Sequence, residues 1–218
     1  MDKDLIEILA LSLIVSFSSL AISCVIGIPI GAVLAIKRFS IRKPLLAIIN
    51  ALMGLPPVLV GLIVYLYLSR SGPLGWLGLL YTPTAMIIAQ VILVSPIIIA
   101  LSTQLIEDLH EDYRDLFLSL NVPQKRAVFA YIYDARYSLL TVVLAGFGRA
   151  ISEVGAVILV GGNIDHLTRV MTTAIALETS KGNLTLALAL GIILLIISLV
   201  INFVAMWIKI YSKSKENV

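Results

Sequence analysis

The chain has 218 residues, of which 60% are hydrophobic and 13% are charged, against about 45–50% and 25% in ordinary soluble domains. This composition excludes water as the main solvent of the fold. Polar residues separate apolar stretches of about 20 residues or more, which is the length that a helix needs to cross a bilayer. We therefore expect an all-α, polytopic membrane protein with one transmembrane domain over residues 1–218.

Five apolar stretches follow one another along the chain and predict five transmembrane helices. They cover residues 5–36, 44–69, 83–105, 137–160 and 184–210. The first stretch starts among acidic residues and is too long for a cleavable signal, so we expect a retained helix. Within the second, Pro56 and Pro57 remove two backbone donors and predict a break or a kink. Cys24 is the single cysteine, so the chain alone offers neither a disulfide nor a cysteine metal cluster.

Lysine and arginine residues predict the orientation, because short basic loops stay in the cytoplasm. The ends of the first, third and fifth stretches are rich in them: Lys37, Arg38, Arg42, Lys43, Arg114, Lys125, Arg126, Arg136, Lys209, Lys213 and Lys215. The alternate loops hold only Lys3, Arg70, Arg169 and Lys181. This distribution places the N-terminus outside and the C-terminus in the cytoplasm. The net charge of +3 then reflects membrane topology rather than nucleic-acid binding.

The longest polar segment, residues 107–136, lies in a predicted cytoplasmic loop. Apolar residues recur there at helical spacing, namely Tyr113, Leu116, Phe117 and Leu120. Asn121 suits a C-terminal cap, and Pro123 suits the first turn of a second helix over residues 124–132. An amphipathic helix on the membrane surface is the alternative. The opposite face is acidic and would be repelled by anionic lipid, which favours a protein partner.

This helix–turn–helix resembles the coupling loop of binding-protein-dependent ABC permeases, whose consensus is Glu-Ala-Ala, three residues, then Gly. Asp115, Leu116, Phe117 and Asn121 occupy the places of the acid, the two alanines and the glycine. Leucine and phenylalanine are bulkier than the alanines, and Tyr133-Asp134 stands where the consensus has Leu-Pro. The resemblance implies that these four residues couple the chain to an ATPase.

Longer motifs carry a more specific resemblance. They are LPPV at 55–58, SGPL at 71–74, GFGRAISEVGA at 146–156, VGGN at 160–163 and TRVMTTAIALETS at 168–180. Together they are similar to the tungstate permeases of the ABC class, near relatives of the molybdate permeases. The resemblance implies a type I ABC importer permease fold, a homodimer and import of an oxyanion, with tungstate first and molybdate next.

The same resemblance implies two kinds of protein partner beside the membrane lipid: cytoplasmic ABC ATPase subunits and an extracytoplasmic oxyanion-binding protein. The chain has no Gly-x-x-x-x-Gly-Lys-Ser/Thr phosphate loop, so ATP and magnesium would be used by the ATPase. We therefore expect a non-catalytic subunit without a cofactor of its own. An ion-coupled secondary carrier or channel for a small anion, working without an ATPase, is the alternative.

Arg149 and Glu153 form the ionisable pair well inside a predicted span, spaced to share one helical face. Charges inside a membrane normally pair and face a protein interior or a wet cavity. We take Arg149, Ser152, Glu153 and Gly155 as candidate residues of the translocation pathway, and a purely structural clasp stays open. Small residues on the same side, Gly146, Gly148, Ser152, Gly155 and Ala156, permit close helix contact or a gate.

Residues 168–181 read as a short amphipathic helix outside the membrane. In the family that the motifs resemble, such a segment lies near the exit from the binding protein. Arg169, Glu178 and Lys181 are therefore candidate docking residues, and a solvated surface is the alternative. His110 and His166 have no partners at metal-ligand spacing, so no metal site is expected.

Overall fold

The computed structural model describes residues 2–216, and within that range the chain is helical without strands. The long helices are α1 Asp2–Ile36, α4 Pro83–Ser119 and α9 Leu184–Glu216. The shorter ones are α2 Arg42–Leu52, α3 Pro57–Leu68, α5 Gln124–Asp134, α6 Arg136–Ile151, α7 Gly155–Gly161 and α8 Met171–Ser180. A 3-10 turn, Gly75–Leu77, lies between α3 and α4. The all-α expectation is confirmed.

Three helices, α1, α4 and α9, are each long and apolar enough to cross a membrane. Two further pairs of helices would each complete a span if a bent pair crosses as one unit. The first pair, α2 and α3, bends by 98°, and the second, α5 and α6, bends by 74°. In α9 only 11% of the most apolar window is buried, which leaves the apolar face that contact with lipid requires.

The first compact unit contains residues 2–21, 55–94 and 147–201. Its core is apolar and includes Val60, Val64, Met86, Val157 and Val160, all nearly inaccessible. Helices α3 and α7 approach so closely that a Cβ added at Gly61 would lie 2.7 Å from the Cα of Ala156. A side chain at Gly61 would therefore force these two helices apart.

The second compact unit contains residues 22–54, 95–146 and 202–216. Gly27 and Gly31 stand one turn apart on α1, and both touch α4. An added Cβ would lie 2.8 Å from Ile98 Cγ2 at Gly27 and 2.8 Å from Ser102 Cβ at Gly31. This is a Gly-x-x-x-Gly contact, in which the missing side chains let α1 pack closely against α4. At Gly31 the added Cβ would also lie 2.9 Å from the carbonyl oxygen of Ile99, so the two backbones approach each other there.

The polar segment at 107–136 differs from its prediction in two respects. Its first helix is not separate, because α4 runs without interruption from Pro83 to Ser119. The turn that follows is as predicted: Asn121 has φ +50°, in the left-handed region that asparagine tolerates. Pro123 has ψ 139° and immediately precedes α5 instead of lying in its first turn. With its φ of −65°, proline suits this place before a helix because its backbone has no N–H to satisfy.

The second and fourth predicted spans are both interrupted. In the second, α2 ends at Leu52 and α3 begins at Pro57, which confirms the predicted break. In the fourth, the expectation of one helix over 137–160 is wrong, because α6 ends at Ile151 and α7 begins only at Gly155.

Candidate functional site

The break between α6 and α7 is organised around Glu153, which is only 3% exposed. Its carboxylate accepts a hydrogen bond from Arg149 Nη1 at 2.8 Å and another from the backbone N–H of Ala156 at 3.0 Å. Its backbone carbonyl accepts a hydrogen bond from Thr172 Oγ1 at 2.8 Å. Three groups from three places in the sequence therefore fix this one residue.

Local hydrogen bonding explains why the helix ends here. The backbone N–H of Glu153 donates to the carbonyl of Ala150 at 3.3 Å. This is an i to i−3 hydrogen bond, which winds the chain more tightly than the i to i−4 bond of an α-helix. Ser152 Oγ donates to the carbonyl of Gly148 at 2.8 Å, and such back-bonding from serine bends helices. The Glu153 carboxylate then binds the free N–H of Ala156 at the start of α7. The Arg149–Glu153 pair therefore bridges the end of α6 instead of lying on one continuous helix.

A small polar cavity adjoins this break. It has a volume of about 10 Å³, and its polar lining comes from Ser12, Ser16, Gln90, Glu153 and Thr172. A cavity of this size holds about one water molecule, so a tetrahedral oxyanion does not fit beside Glu153 in this conformation. Arg149 does not line this cavity, and its side chain is 26% exposed.

The remaining pathway candidates lie around the same break but on different sides. Ser152 is exposed, whereas Gly155 packs inward, where an added Cβ would lie 2.8 Å from Val58 Cγ2. An added Cβ at Gly148 would meet nothing within 4 Å. The close approach expected of the small residues is therefore present at Gly155 and Ala156, whereas Gly148 has open space beside it.

The turn between α4 and α5 carries the coupling candidates. Phe117 packs inward against Tyr131, with ring centroids 5.0 Å apart, and against Tyr113 at 6.1 Å. Tyr131 is only 1% exposed, and its hydroxyl lies 2.9 Å from Nδ1 of His110. Phe117 is therefore half-buried and packs α4 against α5.

Leucines occupy the outer surface of the same turn. Leu116, Leu118 and Leu120 are 51%, 67% and 64% exposed, and Asp115 beside them is exposed as well. The sequence placed Tyr113, Leu116, Phe117 and Leu120 on one apolar face. The structure divides that set, because the aromatic residues pack against α5 and the leucines remain outside.

The three docking candidates, which lie in or next to α8, all form ion pairs within the chain. Arg169 Nη1 binds Asp165 at 2.6 Å, and Lys181 Nζ binds Glu178 at 2.8 Å. The side chains of Arg169 and Glu178 are 22% and 16% exposed, whereas that of Lys181 is 56% exposed. Lysine 181 is thus the most accessible of the three, and its hydrogen bond lowers the pKa of Glu178.

A second contact lies close to these residues. His166 Nδ1 is 2.8 Å from Glu7 Oε2, so it links the α7–α8 connection to the first turns of α1. This hydrogen bond is the main reason that the pKa of His166 is raised. Across the described part of the chain, no three His, Cys, Asp or Glu side chains converge as a metal site would require.

A family model covers most of this architecture. The model for the inner membrane component of binding-protein-dependent transport systems matches residues 27–212. The chain belongs to this family. The matched range includes the turn between α4 and α5, the α6–α7 break and α8.

Three similar permeases share about 40% of their aligned residues with the chain. The chain is 41% identical over 203 residues to the "Probable anion ABC transporter permease protein" of Haloferax volcanii, which covers 91% of this chain and 88% of the relative. It is 41% identical over 215 residues to the tungstate uptake system permease protein TupB of Peptoclostridium acidaminophilum, covering 99% and 92%. With TupB of Campylobacter jejuni it shares 40% over 167 residues, covering 77% and 70%. The predicted family is confirmed.

Arg42 is a structural residue of this permease that the sequence did not reveal, because it was read only as a loop charge. Its side chain is 16% exposed. It binds the carbonyl of Leu34 through Nε at 2.7 Å and the carboxylate of Glu107 through Nη2 at 2.7 Å. Arg42 thereby satisfies a carbonyl near the end of α1 and ties α1 to α4.

Proposed function

We propose that the chain is the membrane-spanning, non-catalytic subunit of an ATP-driven importer for an oxyanion, with tungstate as the first candidate and molybdate the second. The observation that carries this proposal is the end-to-end similarity to the tungstate uptake permease of Peptoclostridium acidaminophilum, over 99% of this chain. Family membership supports the same interpretation, since the family comprises inner membrane components of binding-protein-dependent transport systems.

Two protein partners and a second copy of the chain complete the proposed transporter. A cytoplasmic ATPase would supply the energy and use ATP and magnesium, and an extracytoplasmic binding protein would deliver the oxyanion. A homodimer would supply the helices that enclose a pathway. The basic loops favour an orientation with the N-terminus outside and the C-terminus in the cytoplasm.

The orientation can be tested by thiol labelling in intact cells after Cys24 has been replaced by serine. Single cysteines at Glu111 and Arg126 should be protected from an impermeant reagent, whereas those at Asp165 and Lys181 should react. Labelling of the cysteine at Arg126 from outside would contradict the proposed orientation and favour the opposite one.

The exposed leucines support an assignment of the ATPase contact to the turn between α4 and α5. Exposed leucines at the end of a helix that projects beyond a span are candidates for a contact with a partner protein. In this proposal Leu116 makes the contact together with Leu118 and Leu120, and Asp115 lies at its rim. Phe117 and Asn121 act differently, because the first packs the two helices together and the second forms the turn.

The translocation pathway is proposed to run along the side of α6 that carries Arg149 and Ser152. Arg149 would offer a passing oxyanion a fixed positive charge. Glu153 lies behind it, where its carboxylate orients the guanidinium, and Gly155 allows α7 to pack closely at the break. On the extracytoplasmic side of the membrane, Arg169, Glu178 and Lys181 are the proposed docking residues for the binding protein, with Lys181 the most accessible.

Reconstitution in vesicles tests the proposed function. Tungstate uptake should require the permease, the ATPase, the binding protein and ATP together, and omission of any one should abolish it. Uptake by the permease alone would instead support the ion-coupled carrier or channel. Competition between labelled tungstate and unlabelled molybdate in the complete system would rank the two oxyanions.

A further inference from the structure

Two buried hydrogen bonds fasten the first turn of α8 to distant parts of the chain. Thr172 Oγ1 donates to the backbone carbonyl of Glu153 at 2.8 Å, and the backbone N–H of Met171 donates to Ser12 Oγ at 2.7 Å. Thr172 is 8% exposed and Glu153 is 3% exposed. Buried groups make both bonds, and a hydrogen bond in such a site is stronger than the same bond at a water-exposed surface.

The two ends of α8 differ in exposure. Residues Met171 to Ala174 are buried, whereas Thr179, Ser180 and the following Lys181 are exposed. The helix is about 15 Å long, at 1.5 Å per residue. A force applied to its exposed end therefore reaches the buried end through a short rigid body.

The point at which the buried end attaches is the break between α6 and α7. Glu153 contributes its carbonyl to Thr172 and its carboxylate to Arg149 and Ala156. Any displacement of the Glu153 backbone therefore moves the partner of Arg149. A break already lacks the continuous ladder of helical hydrogen bonds, so a change of angle there disrupts fewer bonds than bending an intact helix would.

We propose that Thr172 is a positioning residue that links α8 to the Arg149–Glu153 pair, so that docking of the binding protein on α8 shifts the pair and the α6–α7 break. This inference rests on the proposed function, because it needs a binding protein that docks on α8. The hydroxyl of Thr172 is the required group, since it alone joins this side chain to the carbonyl of Glu153.

The test compares Thr172→Val, which keeps the shape and removes the donor, with Thr172→Ser, which keeps the donor. Each variant is purified in complex with the ATPase. Three quantities are measured: affinity for the tungstate-loaded binding protein, basal ATP hydrolysis, and hydrolysis stimulated by that protein. We expect T172V to retain affinity and basal hydrolysis but to lose stimulation by about fivefold or more, the lower range of typical coupling. T172S should retain stimulation.

Full stimulation in T172V, or equal loss in T172V and T172S, would overturn the inference. A wild-type complex that neither binds nor responds to the loaded binding protein would overturn the proposed function as well, so the two failures are distinguishable. Hydrogen exchange in the wild-type complex supplies a readout that needs no variant. Docking should alter the exchange of backbone amides at residues 152–157, and unchanged exchange there would count against the link.

Discussion

The turn between α4 and α5 and the break between α6 and α7 interrupt helices in opposite ways. At the turn, Leu118 and Leu120 are more than 60% exposed and make no core of their own. At the break, Glu153 is 3% exposed and its carboxylate and its carbonyl are hydrogen-bonded within the chain. The first interruption leaves apolar side chains available for the proposed contact with an ATPase, whereas the second satisfies its polar groups within the chain.

Removal of Arg149 should produce the largest effect, because it strands a buried carboxylate. Breaking a buried ion pair from one side costs about 3–5 kcal/mol, so Arg149→Leu should lower the thermal stability of the detergent-solubilised protein markedly. Glu153→Gln should cost less, since the arginine left behind is 26% exposed and glutamine can still accept the N–H of Ala156. Thermal unfolding followed by circular dichroism measures both.

The matched double variants separate a clasp from a pathway. R149L/E153Q removes both charges and keeps an acceptor for Ala156, so stability should return nearly to wild type. R149L/E153L leaves that N–H unpaired and should remain about 1–3 kcal/mol less stable. If Arg149 contributes to the pathway, R149L/E153Q should fold but fail to import tungstate. Full uptake by that double variant would show that the pair is only a clasp.

Leu118→Asp should have the next largest effect and tests whether the turn needs a partner. A charge placed in an apolar contact opposes binding, and a loss of about 2 kcal/mol, the usual threshold for a hot spot, would lower ATPase association by about thirtyfold, with a corresponding loss of uptake. The permease itself should remain folded, because this side chain is 67% exposed. Ser119→Asp adds the same charge at the adjacent exposed position and serves as the control. Equal effects of the two variants would contradict an apolar contact at Leu118.

Substitutions at Asn121 test how much the left-handed backbone conformation there contributes to the stability of the turn between α4 and α5. Its φ of +50° disfavours residues with a branched Cβ by about 1–2 kcal/mol. Asn121→Val should therefore destabilise the turn by that amount, whereas Asn121→Gly should be neutral or slightly stabilising. Limited proteolysis between α4 and α5 reports the difference, and equal cleavage of the two variants would show that the left-handed conformation carries no cost.

The smallest effect concerns pH at the His166–Glu7 contact. The raised pKa of His166 means that the folded protein binds its proton more tightly than the unfolded chain does. The contact therefore contributes fully below the ordinary histidine pKa of about 6.5, and this contribution is lost as the pH rises through the higher pKa of the folded state. His166→Asn, which tolerates the local φ of +56°, should remove this slope from a plot of melting temperature against pH. An unchanged slope would assign the pH dependence to other groups.

Apolar runs predicted the helical class and the positions of the first, third and fifth spans, because both follow directly from the solvent that each stretch must face. The helix break at residues 152–154 was not predictable, since it depends on Thr172 and Ala156 reaching Glu153, and periodicity carries no information about such contacts. The sequence also failed to predict that Phe117 is packed while its neighbouring leucines are exposed. A helical pattern shows that residues share one side of a helix. Which of them is buried depends on where Tyr131 of α5 packs, and the pattern does not contain that information.

One feature of the fold, the close contact at Gly27 and Gly31, does have a signal in the sequence. Gly27 and Gly31 form a Gly-x-x-x-Gly motif within an apolar helix, a pattern that predicts close helix packing. The structure places both against α4. The sequence alone offers no means of identifying α4 as the partner, because any apolar helix satisfies the same motif.

Arg42 shows that one charge can act at two stages in the life of a membrane protein. In the proposed orientation its charge first helps to retain the loop after α1 in the cytoplasm during insertion, a task that any basic residue performs. After folding, the same side chain binds a carbonyl and a carboxylate at once, which depends on the forked geometry of the guanidinium. Lysine at this position would supply the same charge during insertion, but it lacks the forked geometry that binds both groups in the folded protein. A variant with the correct topology can therefore still lack the contact that joins α1 to α4.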